Sequence, residues 1–190
     1  FITCLCLERS ERNDKNYENA DKESIEKLIR YVDNQSKAEF ITNSFDKIIS
    51  SNSKLACCVM GLMLNDIGQH NDDISQEDLI MLNALPMLND FDIKNFHYLY
   101  NISSKNHKSN HNISPKDIKE CVQLYNITRR NLYLTMGVLE KYNLMDKNID
   151  VDLDIDEDNL DFSSVDCDET YYFNSISQKL YTYSSMLFKD

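Results

Sequence analysis

ISPKDIKECVQLYNITRRNLYLTMGVLEKYNL, residues 113–144, reads as two capped helices joined by a short turn. Ser114 is placed to cap the first helix, Ser114–Tyr125. Pro115 falls at the first helical position, where its missing N–H matters least, and Asp117 falls at the capping-box distance. Ile118, Cys121, Val122 and Tyr125 follow at i, i+3, i+4 and i+7, one apolar stripe. Asn126 and Ile127 form the turn, because asparagine tolerates the left-handed backbone that a tight turn needs. Thr128 caps the second helix, Thr128–Asn143, with Leu132, Thr135, Met136 and Leu139 on its inner stripe. Asn143 followed by Leu144 suits a Schellman ending.

Working outward toward the C-terminus, Ile149, Val151, Leu153 and Ile155 alternate with Asp150, Asp152, Asp154 and Asp156. Period-two alternation predicts a strand with one apolar and one acidic face. A polar tip leads to a return strand around Tyr171, Tyr172 and Phe173. Asn174 then caps a last helix carrying Ile176, Leu180, Tyr183 and Leu187. Two capped helices, a hairpin and a closing helix over about residues 113–187 resemble the winged helix-turn-helix superfamily. The resemblance rests on element order and caps, since that superfamily has no invariant motif. It implies a unit in which the second helix can read DNA, or in which the fold serves protein contacts alone.

Working outward toward the N-terminus, residues 1–20 read as an N-terminal segment or tether, with FITCLCL at 1–7 too short for a signal core or a membrane span. A helix over 21–33 is expected to bury Ile25, Leu28, Ile29 and Val32. Ser36 and Glu39 predict a capping box for the next helix, with Ile41, Phe45, Ile48 and Ile49 inside. The run LACCVMGLML at 55–64 predicts a central buried helix, followed by a loop over 67–73. Ser75 and Asp78 start a helix bearing Leu79, Leu82 and Leu85, which Pro86 ends. Asn89 or Asp90 starts another, with Ile93, Phe96, His97 and Tyr100 on one face. The polar stretch 103–112 marks an internal boundary. The expected organisation is mainly α, with a helical bundle over 21–102 continuous with a winged-helix-like unit over 113–190 that carries a small β-hairpin.

Only three glycines and two prolines fit a helical chain better than a sheet-rich one. The formal net charge of −12 argues against non-specific binding to nucleic acid or an anionic membrane. Cys4, Cys6, Cys57, Cys58, Cys121 and Cys167 form no disulfide-framework pattern. Two are adjacent in an apolar run and one sits on a core stripe, so reduced thiols and a cytoplasmic location are expected. The N-x-S/T sequons at Asn34, Asn101, Asn112 and Asn126 are about as many as chance supplies.

No metal or cofactor is expected. Asp154, Asp156 and Asp158 match the first positions of a calcium loop, but position 12 is Val165, where such loops need a bidentate Glu. His107 and His111 are four apart, yet neither an HExxH signature nor a cysteine pair accompanies them. His97 lies on an apolar stripe, as a core histidine would. Neither a glycine-rich phosphate loop nor a nucleophile elbow is present, so a non-enzymatic protein is the expectation.

Two surfaces remain. The start of the second helix offers Arg129, Arg130, Asn131 and Tyr133, with Lys116 close by. Arg reads guanine and Asn reads adenine in the major groove. Over 103–135, Lys105, Lys108, Lys116, Lys119, Arg129 and Arg130 outweigh Asp117 and Glu120, a local +4. The wing runs the other way: Asp146, Asp150, Asp152, Asp154, Asp156, Glu157, Asp158, Asp161, Asp166, Asp168 and Glu169 face Lys147 alone over 146–169. Such charge repels phosphates and suits a basic surface. The sequence therefore favours a regulatory interaction protein that engages a basic protein or nucleoprotein partner through Asp150, Asp152, Asp154, Asp156 and Asp158. The alternative is a sequence-specific DNA-binding regulator using Lys116, Arg129, Arg130, Asn131 and Tyr133. Both leave a homodimer open, and neither needs a membrane.

Overall fold

The fold comes from a computed structural model, which describes residues 26, 29–33, 35–70, 73–107, 112–156 and 161–188; of 69–70, 150–156 and 161–168 it describes only the backbone. The chain is mainly helical, with a two-stranded antiparallel hairpin near the C-terminus. In order, the described elements are α1 (Gln35–Ser50), α2 (Lys54–His70), α3 (Gln76–Ala84), a 3-10 turn (Leu85–Met87), α4 (Asp90–Asn106), α5 (Pro115–Tyr125), α6 (Arg129–Lys141), β1 (Asp146–Asp156), β2 (Asp161–Tyr172) and α7 (Ser175–Leu187).

α2 is the buried centre of the N-terminal half. Ala56, Val59, Met60, Met63 and Leu64 are fully buried, as expected of LACCVMGLML, and α2 packs against α1, α4 and α7. Ser53 starts it by accepting from the Ala56 N–H at 3.0 Å. The Ser53 hydroxyl in turn donates to Asp90 at 2.6 Å, and the Leu55 N–H adds a second donor at 3.0 Å. Burial pushes Asp90 up, but these bonds and nearby Lys94 and Lys54 outweigh it and hold its carboxyl below the usual range. One carboxylate thus ties the start of α2 to the start of α4. The helix continues to His70, past the expected loop at 67, because Ile67 is buried and keeps the stripe in register.

α4 joins the two halves. Its Asn89 cap accepts from Phe91 and Asp92, and the Asp92 side chain accepts from the Asn89 N–H at 3.1 Å, a complete capping box. Ile93, Phe96, His97 and Tyr100 are all buried, as the spacing predicts. Around them stands an aromatic cluster: Phe96 meets Phe173 edge-on at 5.9 Å, Tyr100 stacks on Tyr181 at 4.2 Å, and His97 stacks on Tyr181 at 5.2 Å. His97 also lies 3.4 Å from the Ser184 hydroxyl, so it is the satisfied core histidine expected. α4 packs against α5, α6 and α7, and one contiguous apolar core runs from Tyr31 to Tyr183. α4 extends to Asn106, three residues beyond the expected start of the polar loop, because Ile102 and Ser103 are still buried.

α5 and α6 follow the sequence closely. Ser114 and Asp117 form the capping box, Pro115 opens α5, and Thr128 caps α6 by accepting from the Asn131 N–H at 3.2 Å. Asn126 has φ 52° and Asn143 φ 59°, the two left-handed residues that the turn and the helix end need. At the end of α6, Leu144 N–H reaches Leu139 O at 2.8 Å and Asn143 N–H reaches Glu140 O at 2.9 Å, the paired bonds of a Schellman motif. The hairpin base is then fastened from three sides. Ser177 donates to Leu144 O, Asn174 donates to Asp146 at 3.0 Å, and Asn112 bridges Tyr172 while the Ile113 N–H reaches Tyr171 O at 3.0 Å.

Four expectations are corrected. In the first helical stretch Ile29 and Val32 are exposed and Tyr31 is buried instead, with the Lys37 ammonium 4.5 Å from its ring centre; Ile25 and Leu28 lie outside the described residues. α1 begins at Gln35, so Ser36 stands inside the helix and is no cap. Its buried face is Phe40, Ile41, Ser44 and Ile48, and Ile49 is 79% exposed. On α3, Leu79 is exposed and Met81 is buried, because Asp78 turns inward to take the Lys179 ammonium and the Ser75 cap. The return strand is far longer than Tyr171–Phe173. β2 starts at Asp161, so Asp161, Asp166, Asp168 and Glu169 pair along β1 rather than forming a long acidic tip.

Candidate functional site

The helix pair α5–α6 presents the basic surface, and its rigidity begins with Asp117. This carboxylate is fully buried and accepts from Ser114 N at 2.8 Å, Ser114 Oγ at 2.7 Å and Asn106 Nδ2 at 2.8 Å, with His107 Nε2 at 3.1 Å. Burial raises its pKa, yet the Asn106 and Ser114 hydrogen bonds and the nearby His107 outweigh that and hold the carboxyl below the usual range. The start of α5 is thereby locked to the end of α4. α6 is held by a second polar link inside the core. Thr135 Oγ1 donates to Asp92 Oδ1 at 3.1 Å and accepts from Asn95 Nδ2 at 3.0 Å. With Leu132, Met136 and Leu139 fully buried, the opposite face of α6 must point outward.

That outward face carries the residues singled out from the sequence. Arg129, Arg130 and Asn131 are exposed side by side in the first turn of α6. Tyr133 is exposed as well, with the Arg129 guanidinium 5.9 Å from its ring centre. A groove of about 510 Å³ lies between the two helices, lined by Pro115, Lys116, Ile118, Lys119, Val122 and Arg129. Lys116 and Arg129, 13 residues apart in the chain, thus meet in one groove, whereas Arg130, Asn131 and Tyr133 do not line it. Three cations surround an apolar floor, and among the described lining residues there is no acid. Lys119, Ile118 and Val122 were not singled out for this site. Their signal was the spacing of Pro115, Ile118, Lys119 and Val122 at i, i+3, i+4 and i+7, a second stripe on α5. Exposed Leu124 and Leu134 add apolar area to the same helix pair.

The described acidic residues of the wing lie along the two strands of the hairpin. Its register sets Asp150 opposite Asp168, Asp152 opposite Asp166, Asp154 opposite Ser164 and Asp156 opposite Asp161, with a shift between Asp154 and Ile155. Asp158 lies outside the described residues. At the base, Lys147 donates to Glu169 at 2.6 Å and lies 5.5 Å from the Tyr171 ring centre. The Glu169 hydrogen bond raises the Lys147 ammonium above its usual range, so this cation belongs to the base of the hairpin.

Among the described residues, no group of three or more His, Cys, Asp or Glu side chains could hold a metal ion. His107 is engaged with Asp117, and His111 lies outside the described residues. Cys121 is fully buried; burial, with the Glu120 charge beside it, pushes its thiol up to about 12, so it is no nucleophile at neutral pH. Among the described residues no helix is long and apolar enough to cross a membrane. Comparison of the chain with protein-family models, with curated proteins and with solved structures finds no match.

Proposed function

We propose that the protein is a non-enzymatic regulatory interaction protein, whose C-terminal winged-helix-like unit binds a basic protein or nucleoprotein surface through its acidic hairpin. The observation that carries this reading is the register. Aspartates stand directly opposite aspartates at 150/168 and 152/166, and like charges so placed destabilise a two-stranded ribbon. A cationic partner relieves that repulsion, and whatever binds the folded form alone adds its binding free energy to stability. Lys147 cannot serve the purpose, because Glu169 already takes it. Changing Asp152, Asp154 and Asp156 together to Asn is expected to raise the melting temperature of the isolated protein slightly. In affinity capture it is expected to weaken partner binding at least tenfold. Unchanged capture by the triple variant would sink the reading.

A second reading has its own observation. Arg129, Arg130 and Asn131 stand exposed in the first turn of a capped helix, the part that enters the major groove in helix-turn-helix proteins. In that reading the protein is a sequence-specific regulator, and the acidic hairpin must point away from the duplex. Electrophoretic shift of random duplex pools decides between the two. A sequence retained at physiological salt and lost on changing Arg129 and Arg130 to Ala supports DNA reading. No retention even at low salt removes it.

A further inference from the structure

We infer that two copies of this chain pair reciprocally, the acidic β1 ribbon of each seated in the α5–α6 groove of the other. The inference rests on the proposed role of the hairpin as a ligand for basic surfaces, and it names one such surface on the chain itself. The groove has the required chemistry: Lys116, Lys119 and Arg129 around a floor of Pro115, Ile118 and Val122, with no acid among the described lining residues. Its cations are not consumed by the core, since all three are exposed. The ribbon supplies the complement, because in β1 the acids Asp150, Asp152 and Asp154 alternate with Ile149, Val151 and Leu153.

At about 1.5 Å per residue, the α5 face from Lys116 to Val122 extends about 9 Å, and Arg129 adds a third cation from the start of α6. At about 3.3 Å per residue, Asp150 to Asp154 spans about 13 Å. Among the described lining residues none comes from the hairpin, and the pairing fills the groove from a neighbouring copy. Each copy carries one ribbon and one groove, and a two-fold exchange satisfies both and closes, whereas a one-way contact would propagate into a filament. The net charge of −12 on each copy opposes association at low ionic strength. At physiological salt the screening length of about 8 Å removes most of that repulsion and leaves the contact pairs.

Sedimentation velocity of the full chain at physiological salt tests the pairing, using the wild type, a groove variant (Lys116→Glu, Lys119→Glu, Arg129→Glu) and a ribbon variant (Asp150→Lys, Asp152→Lys, Asp154→Lys). At about 100 µM, where any Kd on the order of 10 µM or tighter gives mostly dimer, the wild type is expected to sediment as a dimer and each variant as a monomer. An equimolar mixture of the two variants is expected to restore the dimer, since reversed groove then meets reversed ribbon. Circular dichroism confirms folding, and the neutral set Lys116→Gln, Lys119→Gln, Arg129→Gln replaces any reversal that misfolds. A wild type that stays monomeric, or a dimer that neither variant weakens, overturns the pairing. So does a groove variant that loses duplex DNA without a change of mass, which would assign the groove to DNA. A monomeric wild type that still captures a basic partner through Asp152, Asp154 and Asp156 overturns the pairing alone. Loss of that hairpin dependence as well overturns the reading beneath it.

Discussion

Changing Phe96 to Ala is expected to destabilise the protein by about 3–5 kcal/mol, the range for emptying a large aromatic site in a packed core. Phe96 is fully buried on α4, the helix that packs against α2, α5, α6 and α7. Its ring meets Phe173 edge-on at 5.9 Å and Tyr100 at 5.8 Å, so truncation removes its own burial and two aromatic contacts together. The neighbours cannot collapse into the space easily. Tyr100 is stacked on Tyr181, and Phe173 follows directly on β2. For a chain of this size the loss corresponds to a fall in Tm of roughly 6–20 °C. Thermal denaturation followed by circular dichroism measures it. A fall under about 2 °C would mean that α4 is not the joint between the two halves.

Asp117→Asn is expected to lower stability at neutral pH by about 2–3 kcal/mol and to flatten its acid dependence. The estimate combines a lost helix cap with the weakening of charge-assisted hydrogen bonds at a buried site. The sign follows from the depressed pKa. A carboxyl lower in the folded than in the unfolded chain stabilises fully above the unfolded value of about 3.9, and that contribution is lost as pH falls through the folded value. The wild type therefore loses this contribution on acidification below about pH 4, and the variant has none to lose. Asp78 and Asp90 are depressed in the same direction and remain in the variant, so its curve keeps a residual slope. Urea denaturation at pH 7 and pH 3.5 measures both effects. Equal losses for wild type and variant on acidification would show that Asp117 does not carry its charge in the fold.

Helix positions were largely legible because the chain writes its caps out in full. Ser75, Ser114, Thr128 and Asn174 all cap as read, Asn89 is the one of the two candidates that caps α4, and Asn126 and Asn143 adopt the left-handed backbone expected of them. Which face a helix buries was less legible where neighbours decide it. Ile49 and Leu79 fit apolar stripes and are exposed, while Tyr31 is buried, because helix period alone does not say where the core lies. The return strand was legible only at its end, Tyr171 and Tyr172, and the rest of β2 was not, for a definite reason. Asp154 pairs with Ser164 and Ile155 with Phe162, so Ser163 is an extra residue between them. That bulge breaks the period-two alternation between Phe162 and Val165, and pairing with β1 carries a stretch that local pattern would leave as loop. Of the candidate surfaces, the residue types were legible but their juxtaposition was not. Lys116 and Arg129 share a groove only because the Asn126 turn brings the start of α6 against α5.

A photo-crosslinking side chain in place of Ile149, a half-exposed residue of β1 next to Asp150, tests the central claim most directly. Irradiated in cells, it is expected to give an adduct of defined mass with a basic protein, and the adduct should disappear when Asp152, Asp154 and Asp156 are Asn. An adduct undiminished by the triple change, or crosslinking to DNA alone, would contradict it.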